Sequence, residues 1–69
     1  MGIMNIILNG QSKNIDNAST VETLVKQFSP NNPRVITEIN GTIIHQDIWN
    51  DTPLAEGDHV ELIAFVGGG

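Results

Sequence analysis

Apolar residues recur with two different periods along the chain, and the change from one to the other marks out its elements. Met4-Asn5-Ile6-Ile7-Leu8 is a short run with the composition of a strand, and Gln11 to Ile15 is a weaker one. Asn9-Gly10 lies between them, and Asn40-Gly41 lies between Val35-Ile36-Thr37-Glu38-Ile39 and Thr42-Ile43-Ile44. Asn-Gly is the preferred centre of a type I′ turn, which needs positive φ at both residues, so both segments predict β-hairpins. Between the hairpins the period lengthens. Val21, Leu24, Val25 and Phe28 fall at i, i+3, i+4 and i+7, one face of a helix. Ser19 and Glu22 have the spacing of a capping box, and Ser29-Pro30 ends the helix because a residue before proline is pushed out of the α region. At about ten residues such a helix is marginal alone and needs a sheet to cover its apolar side.

The second half continues with an irregular stretch, His45 to Asp51, carrying Trp49, and then turn residues from Thr52 to Asp58. A last strand is expected over His59 to Phe65. Alternation places Val60, Leu62 and Ala64 on the face toward the helix, and Glu61, Ile63 and Phe65 on the face away from it. The same parity puts Met4, Ile6 and Leu8 toward the helix, with Asn5, Ile7 and Asn9 opposite. The expected core is Met4, Ile6, Leu8, Val21, Leu24, Val25, Phe28, Val35, Ile39, Leu54, Val60 and Leu62. The first and last strands are apolar on both faces, which suits central positions in a sheet. Strand, strand, helix, strand, strand, strand describes an α+β layer: a mixed sheet of four to five strands with one helix on one face, the β-grasp arrangement of ubiquitin. The domain is expected over residues 1–65, followed by a glycine-rich tail over 66–69. Met1 to Ile3 read as a short extension ahead of Met4.

Composition narrows what such a domain can do. A 69-residue chain makes one domain that buries only about 60% of the surface its unfolded form exposes. It has no cysteine, so disulfides and thiolate metal sites do not arise. Eight acidic residues against Lys13, Lys26 and Arg34 give a net charge of −5, without the basic cluster that nucleic-acid binding needs. The acidity suits steering toward a basic partner surface, and an ordinary solvated acidic surface accounts for it equally well. The first residues lack the charged and apolar regions of a signal peptide and are too short to span a membrane, so a cytoplasmic location is expected.

Catalytic chemistry is thinly represented. His45 and His59 are the only histidines, beside Asp47 and Asp58, and no nucleophile-base or paired-carboxylate spacing stands out. Exposed loop and strand-edge positions explain both histidines better than metal ligation does. Trp49 reads as a core plug or rim residue. The tail is different. Three successive glycines give up side-chain packing that a small core needs and carry the largest unfolded-state entropy. Fraying or a cloning linker is the plain explanation, although linkers usually carry serine or a tag. A bare terminus can also thread a narrow enzyme groove that any Cβ would block. Fully extended, Val66 to Gly69 reaches at most about 13–14 Å. Its carboxylate is an anion at neutral pH and a poor electrophile, so chemistry there requires activation by a partner.

The run Asn40-Gly41-Thr42-Ile43-Ile44, Trp49, Thr52-Pro53-Leu54 and Glu56-Gly57-Asp58-His59-Val60-Glu61-Leu62, closing on Val66-Gly67-Gly68-Gly69, resembles the sulfur carriers of thiamine biosynthesis (the ThiS family). The resemblance covers nearly the whole chain. It implies that an E1-like enzyme uses ATP to adenylate the C-terminal glycine. Sulfur drawn from cysteine through a cysteine desulfurase then displaces AMP, leaving a thiocarboxylate that supplies thiazole synthase. Gly69 would be the modified residue, Gly68 its essential neighbour, and Gly67 and Val66 the approach. The carrier would bind no cofactor of its own and would be a protein co-substrate rather than an enzyme. Ile7, Ile63 and Phe65 form a candidate docking patch on the sheet face away from the helix, unless the Trp49 segment folds over them. The alternatives are the small subunit of molybdopterin synthase, a ubiquitin-like modifier, and a non-covalent β-grasp interaction module.

Overall fold

The computed structural model describes residues 2–31 and 34–64. Its elements are β1 (Ile3–Leu8), β2 (Gln11–Asp16), α1 (Val21–Phe28), β3 (Val35–Ile39), β4 (Thr42–Ile44), a 3₁₀ helix (Gln46–Asp51) and β5 (His59–Ala64). They form one five-stranded sheet in the order β2-β1-β5-β3-β4. The β1–β5 pair is parallel and the other three pairs are antiparallel. This is the mixed sheet with one packed helix, the β-grasp, expected from the apolar pattern. The two strands with apolar residues on both faces, β1 and β5, lie inside the sheet, because each gains backbone partners on both edges.

Both hairpins turn as the Asn-Gly pairs require. Asn9 and Gly10 have φ of 50° and 81°, and Asn40 and Gly41 have 51° and 86°. Such φ values match the right-handed twist of the flanking strands. The β1–β2 register runs from Ile3↔Asp16 to Leu8↔Gln11. Pairing thus begins at Ile3, and the Gly2 carbonyl accepts from the Asn17 amide, so the sheet extends ahead of Met4.

The core is one cluster between sheet and helix: Met4, Ile6 and Leu8 of β1, Ile15 of β2, Val21, Leu24 and Val25 of α1, Val35, Trp49, Leu54 and Val60. Burial of a side chain of this size contributes about 1.5–3 kcal/mol. Phe28, Ile39 and Leu62, expected in the core, are half-buried at its edge. Ala64 is exposed although it lies on the core parity, because α1 is only eight residues long and does not extend over the end of β5. Ile15 and Trp49 add to the core that the pattern outlined.

The helix cap differs from the expected Ser19-Glu22 box by one position. Thr20 is the N-cap: its hydroxyl accepts from the Thr23 amide at 3.3 Å, and the Thr23 hydroxyl accepts from the Thr20 amide at 2.9 Å. Ser19 is occupied elsewhere. Its amide donates to the Asp16 carbonyl, and its carbonyl accepts from Leu54, which ties the helix start to the segment before β5. Glu22 instead pairs with Lys26 on the surface at 3.7 Å. Ser29 is the C-cap, as the proline at 30 requires.

Candidate functional site

Residues 65–69 follow β5 directly, so the geometry that bears on them is that of β5 and its neighbours. Val66, Gly67, Gly68 and Gly69, with Phe65 of the expected patch, lie outside the described residues.

β5 is held along its length by main-chain and side-chain bonds of different kinds. On one side it pairs with β3 from Ile39↔Val60 to Val35↔Ala64. On the other it runs parallel to β1, where Ile7 donates to the Asp58 carbonyl and Asn9 to the Val60 carbonyl, both at 2.9 Å. Its start is fixed by a loop. Gly57, at φ 84°, donates to the Asn5 carbonyl, and Glu56 accepts from the Asn5 amide at 2.9 Å. The Asp58 carboxylate accepts from the Ala55 amide at 2.8 Å and from the Asn40 carboxamide at 3.0 Å. The Gly-Asp pair before β5 is therefore a turn device: glycine supplies the positive φ and aspartate closes the loop.

The sheet face away from α1 carries Ile3, Ile36, Ile43 and Ile63, all exposed. Ile36 and Ile63 are direct cross-strand partners, 41% and 43% exposed. Next along, Glu38 faces Glu61, and Ile43 of β4 faces Glu38 from the other side. Two carboxylates directly opposite repel one another and weaken the pair. Ile7 shares this face but stands level with His59, four residues before Ile63 on β5. At about 3.3 Å per residue the two isoleucines are therefore about 13 Å apart along the strands. The structure joins Ile63 to Ile36, not to Ile7. Parity alone missed this, because it assigns a face but not a register.

The 3₁₀ helix does not cover this patch. It packs against α1, where Trp49 is 5% exposed and donates from Nε1 to the Ile44 carbonyl at 2.9 Å. Trp49 is a core plug on the helix side. A cleft of about 330 Å³ opens past the end of α1, lined by Leu8, Asn9, Phe28, Val35, Leu62 and Ala64 among others.

His45 and His59 are both exposed and stand in different parts of the fold. Among the described residues no three His, Cys, Asp or Glu side chains cluster as metal ligands would. No helix among them is long and apolar enough to cross a membrane.

Comparison with known proteins agrees with this geometry. Two solved structures of a thiamine biosynthesis protein (ThiS) from Geobacter metallireducens superimpose on the chain. The crystal structure matches at a TM-score of 0.79 with 30% identity, covering 96% of this chain and all of that one. The solution structure matches at 0.74 with the same identity, covering 96% and 88%. A thiazole synthase from Paramagnetospirillum magneticum is 30% identical over 66 residues, and there the chain spans 96% of its own length but only 20% of the relative's. The ycf40 protein of Porphyra purpurea is also 30% identical over 66 residues and is matched over 93% of its length. The ThiS family model matches residues 6–69, so the chain belongs to the ThiS family.

Proposed function

We propose that this chain is a sulfur carrier and that the carboxylate of Gly69 is its working group. An E1-like enzyme adenylates that carboxylate with ATP, releasing pyrophosphate. A desulfurase takes sulfur from cysteine as a persulfide, whose terminal sulfur displaces AMP to form an acyl disulfide. An external thiol reduces the S–S bond and frees a thiocarboxylate, which delivers sulfur to thiazole synthase. The chain contributes no catalytic residue and binds no cofactor; ATP belongs to the activating enzyme. The observation that carries this reading is the family match, which includes the glycines at 67, 68 and 69. The thiazole synthase relatives add support for the partner, since a segment like this chain occurs within proteins of that name.

Gly68 and Gly67, with Val66, form the approach that enters the partner's active site, where the absence of Cβ atoms permits a close fit. The body docks through the exposed face of the sheet, with Ile36 and Ile63 as its apolar centre and Ile7 at its margin, and with Phe65 included from the sequence alone. An apolar patch beside a pair of glutamates suits a partner surface that is apolar with a basic rim.

A tag fused after Gly69 is expected to abolish adenylation, whereas a tag before Met1 leaves it intact. Equal activity from both fusions would refute the assignment of Gly69. Changing Ile63 and Phe65 together to serine is expected to raise the KM for the carrier about tenfold, the scale of two lost apolar contacts. Unchanged kinetics would remove the sheet face as the docking surface.

A further inference from the structure

Asn9 and Asn40 occupy equivalent places in the two hairpins, each at positive φ and each followed by glycine. The turns ask only for residues that tolerate this backbone, and glycine tolerates it best. The two carboxamides have a second use, because both reach the backbone of β5. Asn40 holds the beginning: its Oδ1 accepts from the His59 amide at 2.9 Å. Asn9 holds a point further on, where its Oδ1 accepts from the Leu62 amide at 2.9 Å and its Nδ2 lies 3.4 Å from the Leu62 carbonyl as donor.

The place of this second clamp is informative. Main-chain bonds from β1 reach the carbonyls of Asp58 and then Val60. At the next step along β5, Leu62, the backbone of β1 has already turned away through Gly10. A carboxamide carries the same donor and acceptor as a peptide group. The Asn9 side chain thus stands in for the residue that β1 no longer supplies.

We infer that Asn9 is a positioning residue: its side chain prolongs the central parallel pair by one step and fixes the end of β5 from which residues 65–69 are presented. The inference rests on the proposed loading at Gly69. Without the carboxamide, the strand partner that holds the end of β5 among the described residues is β3, through Thr37↔Leu62, Ile36↔Ile63 and Val35↔Ala64. The fold persists, but fewer molecules hold the strand end in the orientation that the activating enzyme accepts. Apparent affinity falls by that fraction, while the bound complex reacts at its normal rate. KM therefore rises and kcat does not change.

The test compares Asn9→Gly with Asn40→Gly, since glycine keeps both turns and deletes only the carboxamides. Hydrogen exchange at Leu62 and carrier-dependent pyrophosphate release by the E1-like enzyme are measured for each. Asn9→Gly is expected to speed exchange at Leu62 and raise KM by about three- to tenfold, the scale of one or two ordinary hydrogen bonds, with kcat unchanged. Asn40→Gly is expected to lower the denaturation midpoint while leaving KM at the wild-type value. A wild-type KM for Asn9→Gly, or an equal rise for both variants, would overturn the inference. Absence of pyrophosphate release from the wild-type protein would refute the loading reading instead. Leu62 exchange would then decide the clamp, and an unchanged rate would overturn it.

Discussion

Thr37 sits in the middle of β3 on the face turned toward the helix, opposite Leu62 on one side and Ile44 on the other. It is fully buried, at 0% exposure, and its hydroxyl has no hydrogen-bond partner among the described residues. A buried hydroxyl without a partner costs about 1–3 kcal/mol in lost hydration. Valine has nearly the same shape and keeps the β-branched preference for a strand. Thr37→Val replaces the hydroxyl with a methyl that suits its surroundings, and it is expected to stabilise the protein by about 1–2 kcal/mol. In a domain of this size each kcal/mol moves Tm by about 4–8 °C. Trp49 is the only tryptophan and is buried, so its fluorescence reports unfolding in urea directly. The midpoint should rise with the slope m unchanged, which marks a change in stability rather than in compactness. Thr37→Ser, which keeps the hydroxyl and removes the methyl, should move the midpoint the other way. A Thr37→Val protein less stable than wild type would show that the hydroxyl is satisfied in solution, and the reasoning would fail.

Two further predictions concern stability. Thr20→Ala should cost about 1 kcal/mol through loss of the helix cap, whereas Ser19→Ala should cost a few tenths; the reverse order in urea denaturation would restore the Ser19-Glu22 box. Trp49→Phe keeps an aromatic plug but leaves the Ile44 carbonyl without its indole donor. A loss of about 1–3 kcal/mol is expected, and a neutral result would mean that the bond at 2.9 Å does not persist in solution.

Much of the fold was legible because local chemistry and apolar period agreed. Positive φ at Asn9 and Asn40 follows from the turn chemistry of Asn-Gly, and the apolar faces of β1 and β5 announced their inner positions. The cap was harder to read. Ser19 and Thr20 are both good N-caps, and the choice depends on Ser19 being held by Asp16 and Leu54, a tertiary contact absent from any local window. Trp49 gave the opposite difficulty, since one large residue in an irregular stretch has no period to reveal its direction. On the exposed face, parity placed Ile7 and Ile63 together, but register separates them and puts Ile36 beside Ile63. The asparagine clamps on β5 left a partial trace in the sequence: both turns use asparagine where glycine would satisfy the backbone.

The carrier reading is tested most directly by the intact mass of the protein after incubation with ATP, the E1-like enzyme, a cysteine desulfurase, cysteine and a thiol reductant. The account predicts that one oxygen is replaced by sulfur, and that fragmentation assigns the change to Gly69. An unchanged mass under conditions that load an established carrier of this family, or isopeptide conjugates in place of the thiocarboxylate, would contradict it.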